Sequence, residues 1–134
     1  MKNILKVFGI AAPIAVIVLL TATCKMDEDY DMLNGAWERT SDGLVVTFDG
    51  DRATFTQVTG TGWESVKNAG NIAIGDRKFK DIHRKGDSKW TCQELVYNTS
   101  TYVTSWEDCT ITMSKSGRTI AESSSSGSHT YTKM

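Results

Sequence analysis

Residues 44–56, Leu44-Val45-Val46-Thr47-Phe48-Asp49-Gly50-Asp51-Arg52-Ala53-Thr54-Phe55-Thr56, decide the fold class. Leu44, Val46 and Phe48 alternate with Val45 and Thr47, and Ala53 and Phe55 alternate with Thr54 and Thr56. Successive side chains of a strand point to opposite faces, so this spacing lays apolar groups along one face of a strand pair. Asp49-Gly50-Asp51 between the two runs is hairpin chemistry, because Gly accepts the backbone angles that a tight turn demands.

Outward from this hairpin the pattern repeats. Upstream, Trp37-Glu38-Arg39-Thr40 precedes the turn signal Ser41-Asp42-Gly43, which makes a third strand. Downstream, Thr59 to Gly70 is rich in Gly, Asn and Ser and is expected to be a loop. Ile72-Ala73-Ile74 and Lys78 to His83 are expected strands, and the three-residue spacing of Phe79 and Ile82 implies a bulge or a helical turn. Trp90 to Tyr97, Trp106 to Met113, Arg118 to Ser123 and His129 to Lys133 follow. Short strands at such spacing predict an all-β antiparallel meander, closed as a small barrel or folded as a β-sandwich. Arg77, Lys78, Lys80, Arg84, Lys85 and Lys89 are expected to blunt an edge strand, or else to meet an anionic surface.

The chain has three cysteines. Cys24 follows a basic start (Lys2, Lys6), an apolar run from Val7 to Leu20 and the small residues Thr21-Ala22-Thr23, the plan of a secretory signal. Cys92 and Cys109 remain as an even pair for a disulfide in an oxidising compartment. Setting Cys92 opposite Cys109 in a hairpin puts the turn on Thr99 to Tyr102. It pairs Leu95 with Trp106 on one face and Trp90 with Ile111 on the other. The same register opposes Glu94 and Glu107, so both must reach solvent or a bulge must intervene.

Residues 1–23 resemble a bacterial lipoprotein signal, with Leu20 one place earlier than the family pattern and Thr23 just before the cysteine. The resemblance implies a lipid on Cys24 and a site in the bacterial cell envelope, at the outer membrane. Residues 24–32, acidic and polar, then form a tether, and 33–134 the β domain. Removing 23 of 134 residues leaves 111, enough for one modest core, and losing Lys2 and Lys6 takes the formal charge from −1 to −3. That balance gives no reason to expect nucleic acid.

Gly35-Ala36-Trp37 opens the domain. Here the chain resembles the lipocalin-like (calycin) barrels, whose first strand begins G-x-W. The resemblance implies that Trp37 plugs the closed end while a basic residue lies over its ring, with Lys133 or else Arg118 in that role. Trp63, Trp90 and Trp106 suit core packing, and Trp63, in the Gly-rich stretch, is the candidate ligand-facing aromatic.

No cofactor, metal or catalytic constellation is expected. Asp49-Gly50-Asp51 lacks the further oxygens of a calcium loop, Asp81 with His83 supplies only two ligands, and His83 and His129 sit in no catalytic motif. The expected function is a non-catalytic, lipid-anchored interaction or structural module that meets a protein or glycan. The alternative is a binder of a small apolar or amphipathic ligand, which an apolar cavity of at least a few hundred Å³ favours. A hairpin tip such as Thr99 to Tyr102 also suits an inhibitor of a secreted enzyme.

Overall fold

The computed structural model describes residues 30–134. Cys24 and the signal segment 1–23 lie outside the described residues, as does most of the tether. Among the described residues the strands are β1 (Gly35–Arg39), β2 (Val45–Asp49), β3 (Arg52–Gln57), β4 (Arg77–Gly86), β5 (Lys89–Tyr97), β6 (Thr104–Met113), β7 (Thr119–Ser124) and β8 (Gly127–Lys133), with one helix, α1 (Gly62–Asn68), between β3 and β4. Each strand pairs antiparallel with the next, and β8 returns to β1 to close the barrel. The order and closure are those of a lipocalin-like barrel, and the sandwich alternative falls away. Closure also corrects the expected edge strand, because β4 is hydrogen-bonded on both sides.

The β5–β6 register has Cys92 opposite Cys109, Leu95 opposite Trp106 and Trp90 opposite Ile111, with the disulfide formed. No bulge separates Glu94 from Glu107, and the two do not both reach solvent. Glu94 turns into the barrel, while Glu107 accepts hydrogen bonds from the Ser125 and Ser126 hydroxyls. The Phe79–Ile82 irregularity is a bulge, with Asp81 at φ 52° and a register shift between Lys80 and His83.

Two expectations fail for local reasons. The Gly-rich stretch contains α1, which is started by Thr61-Gly62-Trp63-Glu64. The Thr61 hydroxyl accepts from the Trp63 amide, and Glu64 Oε1 accepts from the Gly60 amide, a variant of the capping box. Ile72-Ala73-Ile74 is not a strand. Its backbone is satisfied by a turn instead, with the Ala73 amide donating to Asp76 Oδ2 and the Gly75 amide to the Phe55 carbonyl, and Ile74 is exposed.

The meander puts the turns at 40–44, 98–103 and 125–126, together with α1, at one end of the barrel. The turns at 50–51, 87–88 and 114–118 lie at the other, which is plugged. There Trp37 is fully buried, its Nε1 donating to the Leu33 carbonyl at 2.7 Å. Its ring meets Phe48 edge-on, Phe48 stacks on Phe79, and Phe79 meets Tyr131. Lys133 Nζ lies 5.3 Å from the Trp37 ring centroid. Gly35, beside the Lys133 stem, adopts φ 120°, a backbone angle that L side chains rarely take. Tyr30, in the segment expected to be a solvated tether, is half-buried and donates through Oη to the Ile82 carbonyl.

Candidate functional site

The α1 end of the interior is charged. Strand periodicity sends Arg39 to the face of Trp37, Glu94 to that of Trp90, Glu122 to that of Ile120 and His129 to that of Tyr131. Glu122 and His129 are direct cross-strand partners. Lys78 joins them from β4 beside the bulge. All but His129 are buried, and His129 is partly so.

The contacts define two ion pairs. Lys78 Nζ donates to Glu94 Oε2 at 2.7 Å and to the Leu95 carbonyl at 2.8 Å, with only 1% and 3% of the two side chains exposed. Arg39 grips Asp42 through two parallel bonds, Nε to Oδ1 at 2.9 Å and Nη2 to Oδ2 at 2.7 Å. Glu122 Oε1 and His129 Nδ1 share a hydrogen bond of 3.2 Å. Glu122 Oε2, the Tyr131 hydroxyl and Trp90 Nε1 are buried with no partner at hydrogen-bond geometry among the described residues.

The two buried glutamates take different charge states. Burial, and then the neighbouring Glu94, push the Glu122 carboxyl up to about 9, so it is protonated at neutral pH. As a carboxylate its Oε2 is an orphaned acceptor; protonated, it can donate to Glu94. Burial opposes the Glu94 charge, but the hydrogen bond from Glu122 and the Lys78 ammonium outweigh it, and Glu94 is held below the usual carboxylate range. Burial lowers Lys78 against the pull of Glu94. Burial and then Arg39 lower His129, which favours the neutral ring. Burial also works against Arg39, but Asp42 and Tyr131 raise it overall.

A cavity of about 250 Å³ opens beside this cluster, lined on its polar side by Arg39, Lys78, Glu94 and His129 and on its aromatic side by Trp63 and Tyr97. The volume has room for roughly eight water molecules. The helix builds the aromatic wall. Trp63 meets Tyr97 edge-on at 4.7 Å and Phe55 at 4.9 Å, and Lys78 Nζ sits 5.1 Å from the Trp63 ring centroid. Gly62 lets the helix approach this closely, because a side-chain carbon there would collide with the Tyr97 hydroxyl.

Of the residues singled out from sequence, Trp63 lines the cavity, although it is buried rather than open to solvent. Gly35, Trp37 and Lys133 lie together at the opposite, plugged end. Cys92 and Cys109 bridge adjacent strands with Cα atoms 5.3 Å apart. Asp81 and His83 are exposed on β4. Sequence reasoning missed Arg39, Lys78, Glu94, Glu122 and His129 as a group. Alternation carried part of the signal, since Ile120 with Glu122, Trp90 with Glu94 and Trp37 with Arg39 each share a face.

Fold and site together define a small closed β-barrel with an aromatic plug at one end and a buried ionic cluster beside a cavity at the other. Comparison with known proteins finds no matching family model, curated relative or solved structure.

Proposed function

We propose that the protein is a non-catalytic, lipid-anchored module of the bacterial cell envelope whose barrel takes up a small amphipathic ligand at the α1 end. The carrying observation is the two-sided cavity: Trp63 and Tyr97 face a ligand's apolar part, while Arg39, Lys78, Glu94 and His129 face its polar head. A purely apolar ligand fits poorly, since it would leave these buried charges with less solvation. The cavity also answers why the interior carries ion pairs at all, given that apolar residues would fill a barrel of this size more cheaply.

Trp63 supplies the test. Titration of small amphipathic molecules, in the presence of chelator, is expected to change tryptophan emission and to saturate. Trp63→Phe should abolish the emission change, and Lys78→Met with Glu94→Leu should weaken binding about ten-fold or more. A screen that leaves the emission and melting temperature of the intact barrel unchanged would count against ligand uptake. The anchor is tested with a clickable fatty acid, whose label must depend on Cys24. Label persisting in Cys24→Ser removes the anchor and leaves the cavity reading intact.

A second reading keeps one observation of its own. The plugged half is filled by Trp37, Phe48, Phe79 and Tyr131, and the Asn98–Val103 hairpin tip holds Val103 60% exposed with Tyr102 at φ 61°. An exposed tip held by its own hydrogen bonds suits contact with a protein or glycan partner.

A further inference from the structure

We infer that Glu94, Glu122 and His129 form a binding site for a divalent transition-metal ion inside the barrel, a site beyond the proposed uptake of an organic ligand. The three side chains come from β5, β7 and β8, and one ligand atom from each lies within 4.8 Å of the others. Metal–ligand bonds of about 2.0–2.2 Å set neighbouring donors roughly 3–3.5 Å apart, so rotamer shifts of about an ångström close the set on an ion. The register fixes much of this geometry, since Glu122 and His129 are opposed across β7 and β8.

A second observation is independent of the spacing. Glu122 is fully buried, and its Oε2 has no hydrogen-bond partner among the described residues. In the carboxylate form this oxygen is a buried acceptor without a donor, which is costly, and a cation that displaces the Glu122 proton satisfies it directly. Glu94 and His129 line the cavity, which gives an ion its way in.

The donor set selects the ion. One imidazole with two carboxylates suits zinc, cobalt, iron or manganese better than calcium, which prefers six to eight oxygens. Lys78 holds Glu94 through Oε2, which leaves Oε1 as the metal-facing oxygen and makes Lys78 an orienting partner. The bidentate Asp42 contact neutralises the nearby Arg39, so it does not repel the ion at full strength.

The test is a titration of the tag-free, chelator-stripped chain with Co²⁺, without organic ligand. It is read by visible absorption and by NMR of the two imidazoles, with His83 as the exposed control. One Co²⁺ per chain is expected, with the His129 resonances broadened and those of His83 retained. Glu122→Gln and His129→Gln should each weaken binding about ten-fold or more, while Asp87→Asn on an exposed turn leaves it unchanged. Far-ultraviolet circular dichroism checks that each variant is folded. Glu94→Gln replaces any that is not and should weaken binding to a similar degree. No binding, binding that perturbs His83 alone, or equal affinity in folded ligand variants would overturn the site. Each of these results leaves the cavity's organic ligand untouched, because that ligand is assayed under chelator.

Discussion

The two ends of this barrel interior solve the same packing problem with opposite chemistry. At the plugged end, Trp37, Phe48, Phe79 and Tyr131 form a chain of ring contacts, with the Trp37 indole nitrogen satisfied by Leu33. At the α1 end, Arg39, Lys78, Glu94, Glu122 and His129 crowd together beside open volume. Burying rings lowers free energy by itself. Burying ion pairs costs desolvation that their attraction offsets only with good geometry. Folding accounts for the first end. The second end needs another explanation, and the proposed ligand site would supply one.

The largest expected effect lies at the plugged end. Trp37→Ala removes the plug, the Leu33 hydrogen bond and the Phe48 contact, and should cost about 3–5 kcal/mol in urea unfolding. A loss under about 1 kcal/mol would mean that the plug is not the anchor of the barrel.

Lys78→Met probes the other end and should cost a similar 3–5 kcal/mol, because it strands the Glu94 charge in the interior. The comparison turns on the double variant. Lys78→Met with Glu94→Leu removes both charges and should recover most of the wild-type stability, or exceed it. A double variant as unstable as the single one would make the ionic end a requirement of the fold, and the contrast between the ends would disappear.

The disulfide sits between the two ends, with Trp90 on one side of Cys92 and Glu94 on the other along the same face of β5. Cys92→Ser with Cys109→Ser should cost about 3 kcal/mol by freeing the unfolded chain. Thermal unfolding with and without reductant checks this.

The plugged end was more legible in the sequence than the charged end. Alternation in Leu44, Val46, Phe48, Ala53 and Phe55 is a local signal, and the Cys92–Cys109 pairing yields the whole β5–β6 register by counting. The ionic cluster joins residues from five strands, and only barrel closure brings them together. Lys78 is hidden among the basic residues of β4, because the β3–β4 register skips it between Phe79 and Arg77 and leaves Lys78 and Phe79 both buried. The Glu94–Glu107 conflict in the register was the available clue. The strand is not bulged there, and the conflict is resolved by sending Glu94 to Lys78. The helix start Thr61-x-x-Glu64 was also present, masked by glycines that prove to be a turn and a close approach to Tyr97.

The Glu122 proton makes the charged end sensitive to pH. The carboxyl, facing Glu94, His129, Lys78 and Arg39, titrates near 4.5 when unfolded and at about 9 when buried. Between those values the folded chain holds a proton that the unfolded chain has lost, so stability falls as pH rises, by up to about 1.4 kcal/mol per pH unit. His129, lowered on folding, opposes this slope below about pH 6.5. The window from pH 7 to 9 is therefore the cleaner one. Glu122→Gln should gain stability over wild type as pH rises through that window, with metal chelated. Parallel curves would leave Glu122 ionised in the fold, with its second oxygen still unaccounted for.

The smallest effect tests whether α1 belongs to the site or to the scaffold. Thr61→Ala removes the oxygen that caps the helix and should cost about 1 kcal/mol. The cost should be local, because the cap holds the seven-residue helix whose Trp63 walls the cavity, while the plug at Trp37 is tied to Leu33 and Phe48 instead. Hydrogen exchange should quicken at the α1 amides and stay unchanged around Trp37. The proposed ligand-induced change in Trp63 emission should weaken in parallel, since a frayed helix no longer holds the ring against Tyr97 and Phe55. If exchange quickens equally at both ends, the helix is one cooperative unit with the barrel, and the two ends do not differ in local stability.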